Sequence, residues 1–316
     1  MQKVTLGNTS LLVSQLCFGA LPMGPLQRDM PPKQGAQVIR HALDRGVNFI
    51  DTAQVYRTYE PIRLAKEGCP QEIIIATKSY AETYNEMQAA VEEALTELDV
   101  DTLGIVHLHA ARMGPELFEK RSGALRCLVD CKKRGIIQAV GISTHTVAAV
   151  RSAARRDDID VIFPLINVRG QGIRGGSREE MAEAIFEAHN QGKGLYAMKV
   201  YAGGNLLQDR RGALDYVLGL PGMNVVAIGM VDEKEVDMNL HLLKGENVDA
   251  KSPHYVPITS KKLIVSRFCK GCGSCVEACP NQALALSNGK ARVDEELCIL
   301  CGYCNPVCPE FAIRMV

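Results

Sequence analysis

The chain has 316 residues, 36 basic and 36 acidic side chains, a formal net charge of zero, 12 cysteines and no tryptophan. Balanced charge leaves no electrostatic footprint for nucleic acid or an anionic membrane surface, and no apolar run reaches the roughly 18 residues that span a bilayer. A core of this length tends to split, so more than one domain is expected. The start, Met1-Gln2-Lys3-Val4-Thr5, carries no apolar leader stretch, which points to a reducing cytoplasm and away from a disulfide framework.

In chain order, a hairpin is predicted first, Lys3–Leu6 turning at Gly7-Asn8 into Leu11–Val13. Eight short apolar runs then read as strands: Gln15–Phe18, Val47–Asp51, Ile73–Thr77, Leu103–His109, Ile137–Ile142, Val161–Ile166, Leu195–Met198 and Val225–Ile228. Between them lie helical patterns such as Pro32–Arg45, Asn85–Leu98, Glu116–Arg134, Val147–Arg156, Glu180–Gln191 and Glu233–Leu243. Strict strand-helix alternation over about 245 residues predicts an α/β fold, a barrel of eight parallel strands. An open doubly wound sheet is the alternative, but no G-x-G-x-x-G follows an early strand.

Residues 246–260 contain Pro253 and Pro257 with little apolar periodicity and read as an extended linker. About 16 extended residues at about 3.3 Å each can climb a barrel and bring the C-terminal segment to its active face. That segment, residues 261–316, is a small α+β domain holding two copies of one cysteine run. Cys269, Cys272, Cys275 and Cys279 precede Pro280; Cys298, Cys301, Cys304 and Cys308 precede Pro309, 29 positions later. Strands are predicted at Leu263–Phe268 and Ala312–Met315, with a hairpin from Ala283–Leu286 to Ala291–Val293 around Asn288-Gly289. Zinc sites usually space their C-x2-C pairs more widely and need no third close cysteine. The repeated C-x2-C-x2-C-x3-C-P instead resembles bacterial two-cluster ferredoxins. That resemblance implies two [4Fe-4S] clusters with the fourth cysteine crossing over: one on Cys269, Cys272, Cys275 and Cys308, the other on Cys298, Cys301, Cys304 and Cys279.

Residues 1–245 carry a second resemblance. Strand two ends Asn48-Phe49-Ile50-Asp51-Thr52-Ala53 with Tyr56 and Glu60 beyond it, strand three ends at Lys78, and strand four ends His107-Leu108-His109. This order is similar to the aldo/keto reductase family, whose catalytic tetrad carries over as Asp51, Tyr56, Lys78 and His109. All four fall at C-terminal strand ends or just beyond, where barrel enzymes place their chemistry. By residue type, Tyr56 is the acid that protonates a developing alkoxide, and Lys78 beside it is expected to lower the phenol's pKa. Asp51 holds Lys78, and His109 orients the substrate oxygen. His107 shares the parity of His109 and is expected to be a buried, hydrogen-bonded histidine beneath the site.

The resemblance implies a nicotinamide coenzyme on Ser143, Thr144, Asn167, Met198, Lys199, Gly203, Gly204 and Asn239. Phe163 stands where the family has a glutamine, and Met198 where it has a stacking tyrosine. The family's basic residues for a 2′-phosphate correspond to Gly229 and Glu235, with Lys234 the nearest cation, so NADH is expected to serve at least as well as NADPH. The family's His-Trp-Pro is His109-Ala110-Ala111, which opens the substrate pocket. Cys17, Cys69, Cys127 and Cys131 are read as small hydrophobes.

The expected function is NAD(P)H-dependent interconversion of a small carbonyl and an alcohol. The two clusters would exchange electrons with an external carrier or a bound flavin, or serve assembly. The alternative is an iron-sulfur electron-transfer or redox-sensing protein whose barrel binds a ligand without turnover.

Overall fold

The structure, a computed structural model, describes residues 1–316 except for the side chain of Thr259. An antiparallel hairpin of β1 (Lys3–Thr5) and β2 (Leu12–Ser14) precedes eight parallel strands. These are β3 (Leu16–Gly19), β4 (Phe49–Asp51), β5 (Ile74–Ser79), β6 (Leu103–His109), β7 (Ile137–Thr144), β8 (Val161–Pro164), β9 (Gly194–Leu195) and β10 (Val226–Gly229). They run in the order β10-β3-β4-β5-β6-β7-β8-β9. The circle closes where Ala197 pairs with Val226, through Ala197 N–H to Val225 O and Ala227 N–H to Ala197 O, both 2.9 Å. The expected barrel therefore forms, although β9 is shorter than predicted and Met198 only bridges Leu165.

Around it stand α1 (Pro32–Asp44), α2 (Tyr59–Lys66), α3 (Tyr84–Leu98), α4 (Leu117–Lys120), α5 (Ser122–Lys133), α6 (Val147–Ala154), α7 (Arg178–Asn190), α8 (Arg210–Leu218) and α9 (Glu233–Leu243). Strand alternation sorts the side chains. On β6, Ile105 joins the inner cluster, while Val106 and Leu108 face the helices. Leu6, Leu11 and Val13 of the hairpin pack into the same inner cluster as Phe49 and Ile74, so the hairpin plugs the barrel's lower end as predicted. Capping boxes at Thr83 with Glu86 and at Ser177 with Glu180 fix the starts of α3 and α7.

The single helix predicted over Glu116–Arg134 is broken at Arg121. Its guanidinium is buried and donates to Ala81 O, His109 O and Ser79 O, and those inward bonds compensate for the lost helical turn.

The iron-sulfur unit comprises β11 (Leu263–Val265), α10 (Ser274–Glu277), β12 (Leu284–Ser287), β13 (Lys290–Val293) and β14 (Ile313–Met315). β11 pairs with β14, and β12 with β13 across Asn288 (φ 50°) and Gly289 (φ 69°), the two left-handed positions of a tight hairpin turn. The stretch read as a free linker is tethered to the barrel. Arg210 donates to Val256 O at 2.9 Å, and His254 stacks on His241 with ring centroids 3.7 Å apart. Two proline positions predict extension, but contacts to distant helices cannot be read from local composition.

The unit sits over the barrel's C-terminal mouth. Glu310 accepts from Arg112 (2.6 Å) and Arg174 (3.2 Å), Arg28 donates to Val316 O (2.8 Å), and Lys261 pairs with the buried Glu235. Phe311 lies against Gly172 and joins the barrel's inner cluster. β14 lies on the turn at Gly203 (φ 65°) and Gly204 (φ 98°), where a Cβ on Gly203 would stand 2.7 Å from Arg314 Cδ, and one on Gly204 2.6 Å from Met315 O. Gly204→Ala is expected to lift β14 through both clash and backbone strain of about 1–3 kcal/mol, lowering the thermal midpoint by roughly 2–5 °C. Limited proteolysis should then cut residues 246–260 faster; an unchanged cutting rate would mean that this contact does not hold the unit down.

Candidate active site and cluster-binding cysteines

Three adjacent strand ends assemble the tetrad. Asp51 ends β4, Lys78 lies near the end of β5, His109 ends β6, and Tyr56 stands on the short 3-10 turn Gln54–Tyr56 after β4. Lys78 Nζ donates to Asp51 Oδ1 (2.9 Å) and Oδ2 (2.7 Å) and also to Thr52 O, with the lysine 1% exposed. Its ammonium stands 4.8 Å from the centroid of the Tyr56 ring, which meets His109 edge-on at 6.0 Å. His109 stacks on Tyr80 at 4.1 Å, and its carbonyl is held by Arg121. Sequence reasoning thus brings together four residues that do meet.

Beneath them, Tyr196 O–H donates to Asp51 Oδ1 at 3.1 Å and shares a 2.6 Å hydrogen bond with His107 Nε2. His107 therefore has the buried supporting place expected of it. Tyr196 belongs to no motif and escapes sequence reasoning; its inward parity on the seventh strand is the signal that could have found it. Its ring also stacks on Phe163 at 3.8 Å, so the phenylalanine has a packing partner in the barrel interior.

Burial sets the protonation states. Desolvation pushes the Tyr56 phenol well above its ordinary value, and the Asp51 carboxylate adds to that. The expectation that Lys78 lowers this pKa is corrected: burial dominates, and the nearby Asp51 carboxylate raises it further. Desolvation also raises Asp51 and lowers Lys78, each partly offset by the other's charge. Burial, with help from Lys78, keeps His109 neutral by moving its pKa well down.

A cavity of about 680 Å³ opens above the tetrad. Asp51, Tyr56, His109, Ser143, Met198, Lys199, Gly203 and Gly204 all border it, as do Ala110 and Ala111. Its far wall belongs to the iron-sulfur unit: Arg267, Phe268, Cys308, Pro309, Phe311 and Arg314. The remaining coenzyme candidates face elsewhere. Thr144 Oγ1 accepts from Thr146 N–H, and Asn167 closes its own loop, bonding Arg169 N–H, Gln171 N–H and Gln171 O. Asn239 accepts from Tyr201 O–H at 2.7 Å and donates to Glu235 O. Glu235, expected beside a 2′-phosphate, is 4% exposed, accepts from Val231 N–H and pairs with Lys261.

The expected coenzyme path borders the cavity at Ser143, Met198, Lys199, Gly203 and Gly204, and the cavity continues beyond that turn to Gly229, Val231 and Lys261. The glycine turn expected at the pyrophosphate is covered by Arg314 and Met315, and the polar groups expected at the adenosine are satisfied within the chain.

In the small domain, Cys269, Cys272, Cys275 and Cys308 together line one small cavity, the set that crossing ligation requires. Cys304 has Cys298 and Cys301 as its nearest thiol influences, and burial pushes its own thiol up to about 12. Backbone N–H groups point at sulfur in a repeated way: Ala283 N–H to Cys279 Sγ and Ala312 N–H to Cys308 Sγ, both 3.3 Å and both four residues on. Such donors stabilise thiolates bound to iron. Among the described residues no three cysteine, histidine or carboxylate groups converge on a single-ion site. The donor set fits cubanes, and these eight thiols are the groups that could hold them.

Comparison with known proteins agrees with this anatomy. The model of the aldo/keto reductase family matches residues 15–214, and that of a 4Fe-4S dicluster domain matches residues 268–314. The chain belongs to the aldo/keto reductase family and carries a 4Fe-4S dicluster domain after the barrel. It is similar to the 6-dehydroglucose reductase of Novosphingobium aromaticivorans, 24% identical over 160 residues, covering 45% of this chain and 51% of that protein. It is also similar to the L-galactose dehydrogenase of Arabidopsis thaliana, 28% identical over 150 residues, covering 44% of this chain and 47% of that one. The matches thus span about half the length of these relatives. An aldo-keto reductase from Bacillus halodurans, in its holo form, shares the fold with a TM-score of 0.64 at 20% identity, over 79% of this chain and 93% of its own. No helix among the described residues is long and apolar enough to cross a membrane.

The buried groups make two stability predictions. Tyr196→Phe leaves His107 Nε2 without its partner and Asp51 with one donor fewer, so urea denaturation should show a loss of about 1–3 kcal/mol; a change under a few tenths would refute the support role. Lys199 is lowered to about 7, by burial first and then by Arg314 and Lys78. Below that value both folded and unfolded states carry the proton. Above it the folded state gives the proton up while the unfolded side chain keeps it until about pH 10.4, so stability from this position rises with pH across that window. Wild type should therefore gain stability relative to Lys199→Met between pH 7 and about 10, measured by denaturation at each pH. A constant difference would contradict the buried cation.

Proposed function

We propose that the barrel mouth interconverts a carbonyl and an alcohol on a small molecule in an NAD(P)H-dependent reaction, beside an iron-sulfur domain that serves electron transfer at the same cavity. One observation carries this reading. The cavity bordered by Tyr56 and His109 is bordered on its other side by Cys308, a cysteine of the first thiol set. NAD(P)H, with NADH the expected form, is the electron source implied by the family resemblance. Ser143, Met198, Lys199, Gly203 and Gly204 of its expected path border the cavity, and when bound there it would supply the hydride for the carbonyl carbon.

Each residue has its own part in the work. Tyr56 stays protonated because burial holds its pKa up, and it can therefore give a proton to an alkoxide forming above it. Lys78, 4.8 Å from the ring and fixed by Asp51, supplies positive charge to the phenolate left behind. Neutral His109, fixed by Tyr80 and Arg121, has an unpartnered buried Nδ1 and can serve as a neutral polar group for the substrate oxygen. The eight cysteines of the two runs would hold two cubanes, each of which would pass electrons one at a time. An external one-electron carrier would replenish them.

Tyr56→Phe should abolish carbonyl reduction, by a factor of about 10² or more, while iron content stays unchanged. Activity retained within a few-fold would sink the acid assignment. Anaerobically prepared protein should hold about eight iron and eight sulfide per chain. Cys279→Ser should damage the cluster built mainly on Cys298, Cys301 and Cys304, read by the electron paramagnetic resonance of the reduced protein; loss confined to the other cluster would refute the crossing.

A further inference from the structure

We propose that the carbonyl substrate carries a carboxylate and that Arg267 of the iron-sulfur unit receives it, so that the domain roofing the barrel selects the substrate class of the site beneath it. The proposal deepens the carbonyl reading above and rests on it for turnover; binding of the acid is tested separately.

Charge is the first argument. Six cationic side chains, Arg112, Arg174, Lys199, Lys261, Arg267 and Arg314, border the chamber between barrel and iron-sulfur unit, against two carboxylates, Asp51 and Glu310. Five of the six already have a place. Arg112 and Arg174 share Glu310, and Lys261 pairs with Glu235. Arg314 lies against Gly203 on the expected coenzyme path, and Lys199 borders that path beside Met198. Arg267 is left over, exposed and with no ion pair among the described residues. A guanidinium in that state presents a planar fork of donors, the shape that a carboxylate matches with two parallel hydrogen bonds.

Position is the second argument. Arg267 lies between β11 and Cys269, with its Cζ 5.2 Å from the centre of the Phe268 ring, and Arg112 Cζ is 4.7 Å from the same ring. The loop that carries Arg112 starts at His109, so this corner of the roof overlies the catalytic histidine. Tyr80, stacked on His109, and Tyr56, edge-on to it, border the chamber at the same end. Burial raises both phenols, and the charge of Arg267 opposes it at each; on Lys199, lowered first by burial, the next influence is Arg314. Arg267 therefore belongs to the substrate end and Arg314 to the coenzyme end.

Space is the third. Ala110 and Ala111 border the chamber where the resembling family has tryptophan and proline, so methyl groups leave the gap between the tetrad and Arg267 open. One molecule can then place its carbonyl at Tyr56 and His109 and its acid group at Arg267. At this end Arg267 is the guanidinium with an open fork, because Arg112 is spent on Glu310 and the buried Arg121 on three backbone carbonyls. A single fork balances a carboxylate, whereas a dianionic phosphate would keep charge to spare.

The test assays the cluster-loaded full chain anaerobically, with NADH and with NADPH, on three acids of increasing length: glyoxylate, succinic semialdehyde and para-carboxybenzaldehyde. Each is paired with its methyl ester, and para-formylphenyl phosphate is the dianionic comparison. At least one acid should exceed its ester in kcat/KM by about tenfold or more. Arg267→Gln should bring that ratio close to unity through the KM of the acid, at unchanged iron content, and Arg267→Lys, which keeps the charge without the fork, should restore part of it. For binding alone, calorimetry on Tyr56→Phe protein should find the acid bound about tenfold or more tighter than its ester, a difference that a second change, Arg267→Gln, removes. Ratios near unity for all three pairs, a ratio that survives Arg267→Gln, or preference for the phosphate over the best acid would each overturn the proposal. Acid bound tightly but never reduced strikes the carbonyl reading alone, whereas esters reduced with no acid bound strikes this proposal alone.

Discussion

The contact on which the arrangement depends is the seat of β14 on the Gly203-Gly204 turn. Two consecutive residues with positive φ turn the backbone so that nothing projects where the strand must lie, and only glycine leaves the space. Around that contact are the Glu310 clasp, the Lys261–Glu235 pair and Phe311 in the barrel mouth. Exposed ion pairs contribute little individually. The apolar wedge and the close backbone approach are what exclude water and bring a cluster cysteine to the wall of a barrel cavity. A fold whose mouth normally ends in loops here has a second domain as its roof.

Below the roof, the site is rigid through a continuous buried chain. His107 bonds Tyr196, Tyr196 bonds Asp51, Asp51 grips Lys78, and the Lys78 ammonium stands over the ring of Tyr56. Breaking a buried pair such as Asp51–Lys78 by removing one member costs about 3–5 kcal/mol, because the other charge is left without compensation. Arg121 ties the ends of β5 and β6 together from the opposite side. These groups fix geometry, while the cations of the chamber provide attraction for a ligand.

Much of this is legible in the chain itself. The eight strands, the hairpin plug, the tetrad and the two cysteine runs follow from periodicity, strand-end position and spacing, which are local properties. The illegible part is long-range. Thr144, Asn167 and Asn239 stand at positions matching a coenzyme site, but their side chains are used by neighbouring loops and helices. Arg121 sits inside a helical pattern, and its inward turn is decided by three carbonyls from other elements. Residues 246–260 have the composition of a spacer, so their tethering, and hence the docking of β14, cannot be inferred from it. The charge of Lys78 alone suggests a lowered phenol pKa, whereas burial decides the state of Tyr56.

The most direct measurement is an anaerobic titration of the intact, cluster-loaded protein with NADPH and NADH, following nicotinamide fluorescence and cluster absorbance together. With the cavity running from Tyr56 past Gly203 and Gly204 to Gly229, about one coenzyme per chain should bind saturably. Failure of both coenzymes to bind folded, cluster-loaded protein would contradict the account, because it would leave the barrel cavity without a hydride donor.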